Sequence, residues 1–126
     1  MPEVFTLRKR FSFEAAHRLP LHDGKCRSLH GHSWIGWVEV RGTSLIEGGS
    51  EDGMLIDFGR LSSHLTPMVE QYLDHQYLNE TLPLASPTSE AIARWVFDHL
   101  GANGLNANAV TIEETCTSAC TYRRES

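Results

Sequence analysis

Phe11-Ser12-Phe13-Glu14-Ala15-Ala16-His17 alternates apolar with polar or small side chains. On a pleated strand Phe11, Phe13, Ala15 and His17 therefore share one face, so a histidine joins the aromatics where a core would form. Extended outward, the pattern predicts a long strand over residues 4–18, with Phe5 and Leu7 on the same face. Lys9 interrupts the alternation, which predicts a bulge or a strand leaving the core at that point.

A loop with Pro20 and Gly24 follows, and residues 32–42 read as a second strand with His32, Trp34, Val38 and Val40 on one face. Gly48-Gly49-Ser50 and Asp52-Gly53 mark a turn-rich connection. Asp57 is a helix cap, and Phe58, Leu61, Leu65, Met68, Val69 and Tyr72 recur at roughly helical spacing, with Pro67 expected to kink or split the helix. Ser86-Pro87 announces a second helix, with proline at its first position, Ile92, Trp95, Val96 and Leu100 along it, and Gly101 at its end. Residues 109–117 alternate again, and a short last strand is expected over residues 121–123. The order is strand, strand, helix, helix, strand, strand. No repeat, linker or low-complexity segment divides the chain, so a single domain over residues 1–126 is expected.

With 126 residues the chain can build a two-layer core but is small for enclosing a polar substrate alone, which points to a site between subunits. A net charge of −5 argues against a general nucleic-acid binder, and no apolar run reaches membrane-spanning length. With no secretory signal at the N-terminus either, the expected location is the cytoplasm. Three cysteines, Cys26, Cys116 and Cys120, are too few for a disulfide framework and fit a reducing compartment. Arg8, Lys9, Arg10, Arg18, Lys25, Arg27, Arg123 and Arg124 lie near the chain ends and the histidines, where they either receive phosphates or form a solvated surface.

The chemistry concentrates in His17 and in Cys26-Arg27-Ser28-Leu29-His30-Gly31-His32. A lone histidine on an apolar face is usually a hydrogen-bonded core residue. Three of them, two separated by one glycine, form a metal site, zinc first by ligand type. A fourth position left to water or substrate would make that site catalytic. Cys26, flanked by Lys25 and Arg27, is a base or nucleophile near the metal, or else the fourth ligand of a closed structural site. Cys116 and Cys120 read as packing residues, and His22, His64 and His99 as surface or capping residues. Asp74-His75 pairs a carboxylate with an imidazole that it could orient for proton relay. Glu114 falls on the face of Val110 and Ile112, where a carboxylate needs a partner or a ligand; a guanine-like or pterin edge with adjacent N–H donors would suit it. Glu113, on the opposite face, reads as a solvated acid.

Phe13-Glu14-Ala15-Ala16-His17, the Cys26–His32 segment, Leu73-Asp74-His75-Gln76-Tyr77-Leu78-Asn79, Pro87-Thr88-Ser89-Glu90 and Glu114-Thr115-Cys116-Thr117 resemble, in order, the signatures of the 6-pyruvoyltetrahydropterin synthase family. The three-residue gap between Cys26 and His30 and the Glu-Thr-Cys-Thr ending are most similar to its bacterial, carboxy-forming branch in queuosine biosynthesis. The resemblance implies an α+β tunnelling fold: a four-stranded antiparallel sheet with two helices on one face, order ββααββ, joined into an oligomeric barrel, usually a hexamer built as a dimer of trimers. It implies Zn²⁺ on His17, His30 and His32, Cys26 as proton acceptor, Asp74 and His75 as relay, and Glu114 as pterin anchor and participant in catalysis. The implied reaction takes 7,8-dihydroneopterin triphosphate and water to 6-carboxy-5,6,7,8-tetrahydropterin, acetaldehyde and triphosphate. The pyruvoyl-forming reaction and a non-catalytic zinc- or pterin-binding module are the alternatives. No Gly-rich dinucleotide fingerprint follows the first strand, so no nicotinamide or flavin is expected.

Overall fold

The computed structural model describes residues 2–114 and 117–125. Two long strands, β1 (Phe5–His17) and β2 (His30–Gly42), pair antiparallel along their full length, from Phe5 opposite Gly42 to His17 opposite His30. The pairing is continuous through Lys9, opposite Val38, so of the two expectations there is no bulge, and the strand instead leaves the core at this end. Lys9 keeps its place in the alternation because it is only half-buried, at the end of the sheet before the core begins at Phe11.

Helix α1 (Phe58–Met68) is capped by Asp57, whose side chain accepts from the Gly59 amide at 2.8 Å. Pro67 sits one residue before the end of α1, so the stretch expected to run on to Tyr72 is divided there. Beyond it the chain widens into a π turn, Val69–Leu73, in which the Asp74 amide reaches the Val69 carbonyl at 2.8 Å. That wider turn places Leu73 in the core and turns the chain onto the edge of β1. There a two-residue strand, β3 (Gln76–Tyr77), pairs parallel with Ala15 and Ala16, and a one-turn helix, α2 (Leu78–Thr81), follows. Neither short element has a hydrophobic period long enough to read from sequence.

Helix α3 (Ser89–Ala102) starts two residues later than Ser86-Pro87 suggests. Thr88 is the cap, accepting from the Ala91 amide at 3.1 Å, and Pro87 lies outside the helix with its carbonyl turned elsewhere. Strands β4 (Ala109–Glu114) and β5 (Ser118–Arg123) complete an open sheet of order β3-β1-β2-β4-β5. The fold is thus α+β, four antiparallel strands with two principal helices and a parallel stub on one edge.

The core lies between the sheet and α1 and α3. Phe11, Phe13, Trp34, Val38, Val110 and Ile112 face Leu61, Leu65, Met68, Ile92, Val96 and Leu100. Each such side chain contributes about 1.5–3 kcal/mol by leaving water. Gly36 is required in β2 because a Cβ there would overlap the Phe11 ring. Phe11 stacks on Phe13, and Phe13 on Trp34 with ring centroids 5.7 Å apart, so an aromatic row leads directly to the histidines.

Candidate metal centre and adjoining cleft

Register alone brings the site together. His17 lies opposite His30, Ala15 opposite His32, and Trp34 opposite Glu114, so the three imidazoles and the carboxylate project from the helix-covered face at one end of the core. Their rings pack edge-on, with centroids 4.5 Å apart for His17 and His30 and 4.8 Å for His30 and His32. Trp34, completely buried, closes the inner side, its indole donating to the Ala15 carbonyl. One ligand atom from each of His17, His30, His32 and Glu114 lies within 4.8 Å of every other.

Backbone carbonyls set the tautomers. His17 Nδ1 lies 2.8 Å from the Pro87 carbonyl oxygen and His30 Nδ1 2.7 Å from that of Ser28. A carbonyl can only accept, so each Nδ1 carries the proton and each Nε2 presents a lone pair to the cluster. Burial, the largest influence, lowers the pKa of His17, outweighing the opposing pull of the Pro87 carbonyl and of Glu114, and favours its neutral form. His17 Nε2 has no hydrogen-bond partner, yet Glu114 Oε1 stands 3.0 Å from it and 3.2 Å from His32 Nε2. Two lone-pair atoms held that close call for a cation between them. Three imidazoles, two of them oriented by backbone carbonyls at Nδ1, together with a carboxylate form a donor set suited to Zn²⁺.

Cys26 is half-buried in the single turn Lys25–Arg27, tied down by the Leu19 amide on its carbonyl at 2.6 Å. Its thiol lies outside the cluster of ligand atoms, which a closed structural site using Cys26 would require it to join. Cys120 is half-buried on β5, where burial, reinforced by Glu90, pushes its thiol pKa up. The packing reading of Cys116, and the Thr115-Cys116 part of the last motif, fall outside the described residues.

Asp74 and His75 form a second corner on the edge of β1. Asp74 Oδ1 accepts from the Glu14 amide at 2.9 Å, the His75 amide donates to the Glu14 carbonyl at 2.6 Å, and Asp74 Oδ2 lies 3.0 Å from His75 Nδ1. The Glu14 amide, more than His75, holds the Asp74 carboxyl below its ordinary range. His75 adopts φ 59°, a left-handed conformation that costs a non-glycine residue about 1–2 kcal/mol, and its side chain is 80 % exposed. An open cleft of about 550 Å³ runs from this corner across β1 and β2, lined by Glu14, Gly31, His32, Ser33, His75 and Gln76 among others. Its size suits a small molecule. Ser33 donates its hydroxyl to the Glu14 carboxylate, and His32 is the one member of the metal cluster that borders the cleft.

Two sequence readings change and a third is sharpened. His99 is half-buried in the last turn of α3, where its carbonyl accepts from the capping residue Asn103, while its ring stacks on Trp95 at 4.7 Å and meets Tyr72 edge-on, and burial lowers its pKa. Glu113 is half-buried and accepts from the Trp37 indole at 2.8 Å. Several basic residues are engaged away from the histidines: Arg8 lies over the Trp37 ring, Arg123 faces Glu39, and Arg124 binds Asp98 and Tyr122. The carbonyls of Pro87 and Ser28 went unread because backbone atoms carry no residue signature; only the fold reveals them.

An open α+β sheet carrying a histidine–carboxylate cluster able to hold a metal ion defines the class. Residues 6–125 match the family described as 6-pyruvoyl tetrahydropterin synthase. The chain is 53% identical over 120 residues to 6-carboxy-5,6,7,8-tetrahydropterin synthase of Synechocystis sp., covering 94% of this chain and 93% of the relative. It is 33% identical to the protein of the same name from Haemophilus influenzae, covering 95% and 99%. The 6-pyruvoyl tetrahydropterin synthase structure from Caenorhabditis elegans superposes with a TM-score of 0.83 at 28% identity, covering 98% of both chains. The chain belongs to the 6-pyruvoyl tetrahydropterin synthase family, and it is an enzyme.

Proposed function

We propose that the protein converts 7,8-dihydroneopterin triphosphate and water to 6-carboxy-5,6,7,8-tetrahydropterin, acetaldehyde and triphosphate, as a zinc-dependent lyase of queuosine biosynthesis in the cytoplasm. The observation that carries this reading is the cluster of His17, His30, His32 and Glu114, with imidazole lone pairs turned inward by the Pro87 and Ser28 carbonyls. The relatives from Synechocystis and Haemophilus, matched over nearly their whole length, bear the name of the carboxy-forming synthase.

His17, His30 and His32 would hold the metal, and a Zn²⁺ ion there would supply the Lewis acidity that makes the C–H and O–H bonds of the substrate side chain easier to deprotonate. Cys26, as thiolate, accepts the proton so released. Asp74 orients the His75 ring through the contact at Nδ1, and His75 relays protons to and from the side chain. Glu114 accepts from the N–H donors of the pterin ring and holds the ring in register. In the chain by itself Asp74 and His75 sit on the exposed edge of β1, while the cluster lies on the helix-covered face. An intersubunit site follows: the exposed relay serves a neighbouring subunit. Supporting this, among the described residues β5 closes one side of the sheet without a further strand, and β3 covers β1 only at Ala15 and Ala16. Both edges are therefore open for pairing into a trimeric barrel, two of which stack as a hexamer. No helix among the described residues is long and apolar enough to cross a membrane.

Incubating zinc-loaded protein with dihydroneopterin triphosphate and weighing the products by mass spectrometry tests the reading. Carboxytetrahydropterin with acetaldehyde is expected. The pyruvoyl product would replace the reaction assigned, and neither product would reduce the protein to a binding module.

A further inference from the structure

Glu114 stands too close to the imidazoles to serve the pterin ring alone. On a tetrahedral zinc with bonds of 2.0–2.2 Å, neighbouring ligand atoms lie about 3.3 Å apart. Glu114 Oε1, at 3.0 Å from His17 Nε2 and 3.2 Å from His32 Nε2, stands near that spacing from two imidazoles at once. A hydrogen bond does not account for the approach to His17: its proton is on Nδ1 with the Pro87 carbonyl, and Nε2 is buried without a hydrogen-bond partner. The carboxylate is delivered to this place by the backbone, since Glu114 lies opposite Trp34 on the core face of β4. It remains 30 % exposed, so an incoming molecule can reach it from solvent.

We infer that Glu114 is the fourth ligand of the metal while no substrate is bound, and that the pterin ring draws it away on binding. This deepens the function proposed above and rests on it. The guanidine-like edge of a pterin offers adjacent N–H donors that only an anionic acceptor satisfies well. As the carboxylate turns to the ring, the coordination position it leaves falls to the side chain of that same molecule. The metal is thereby closed to water and to small anions until a ring of the right donor pattern is seated, and the ligand that opens the site is the one that must occupy it.

The test uses full-length protein loaded with cobalt(II), read by visible absorption, with azide as a probe of an open coordination position and neopterin as the ring-bearing probe. In the wild type, azide should leave the spectrum unchanged, and neopterin should shift it. In Glu114→Gln, azide should shift the spectrum without neopterin, and zinc affinity, measured by competition with a chromophoric chelator, should fall at least about tenfold. A wild type whose spectrum responds to azide alone overturns the inference, whatever becomes of the variant; unchanged zinc affinity in a folded Glu114→Gln does the same. The two readings fail separately: azide access with intact turnover removes the ligand role and leaves the lyase, whereas a closed cobalt site in a protein making neither product removes the lyase and leaves the ligand role.

Discussion

Two corners of this molecule hold the groups assigned to chemistry, and they are built in opposite ways. The histidine corner is an extension of the core. His17 is 1% exposed, its ring is wedged against Trp34, and its tautomer is dictated by a carbonyl from the segment leading into α3. The Asp74–His75 corner hangs outside the core, fastened to the Glu14 backbone by two hydrogen bonds, with a left-handed residue at its apex. The three imidazoles are therefore preorganised by the sheet register together with two carbonyls of this same chain, those of Pro87 and Ser28. The Asp74–His75 pair is strained and exposed, which suits the proposed relay if its working partner arrives from a neighbouring subunit.

The contrast can be broken most decisively at the core end. His17→Ala should reduce zinc affinity by two or more orders of magnitude, measured by chelator competition, and should also destabilise the fold. The Pro87 carbonyl would lose its buried donor, at a cost of about 1–3 kcal/mol in a denaturant melt. Cys26→Ala should retain zinc and the melting temperature while the rate of carboxypterin formation falls about 10²- to 10⁴-fold, because a proton acceptor is removed and no ligand is. A comparable loss of zinc would place the thiol on the metal instead.

At the exposed corner the expected effect on stability has the other sign. His75→Gly relieves the positive φ and should raise unfolding stability by about 1 kcal/mol while turnover collapses; a variant less stable than wild type would show that the His75 side chain supports the fold. The smallest effect belongs to His99. Its folded pKa lies below the ordinary value of 6.5, so its contribution to stability is complete above about pH 6.5 and is lost as pH falls through the folded value. His99→Gln should flatten that acid-side decline by less than about 1 kcal/mol, the ring being partly solvated, as read from melts across pH.

Much of the sheet was legible because alternation has a period of two and both long strands keep it. Phe11, Phe13, Ala15 and His17 do share the core face, and Glu114 does join Val110 and Ile112 on it. Asp57 and the apolar stripe of α1 were equally readable, though Phe58, counted in that stripe, is half exposed. What escaped has a common cause. The π turn after Pro67, the two-residue β3, the shift of the α3 start to Ser89 and the packing of His99 all depend on which surfaces meet, and no local period encodes that.

The residue order alone determined that His17, His32 and Glu114 would each lie on the apolar face of its own strand, with His30 pointing as His32 does, since side-chain direction in a strand follows from counting. Tertiary structure decided how they are used. Strand register set the 3.0 Å approach of Glu114 to His17, and the path of the chain into α3 supplied the carbonyl that chooses the tautomer. Both depend on backbone groups from distant segments meeting, a matter of packing geometry that the identity of neighbouring residues does not specify.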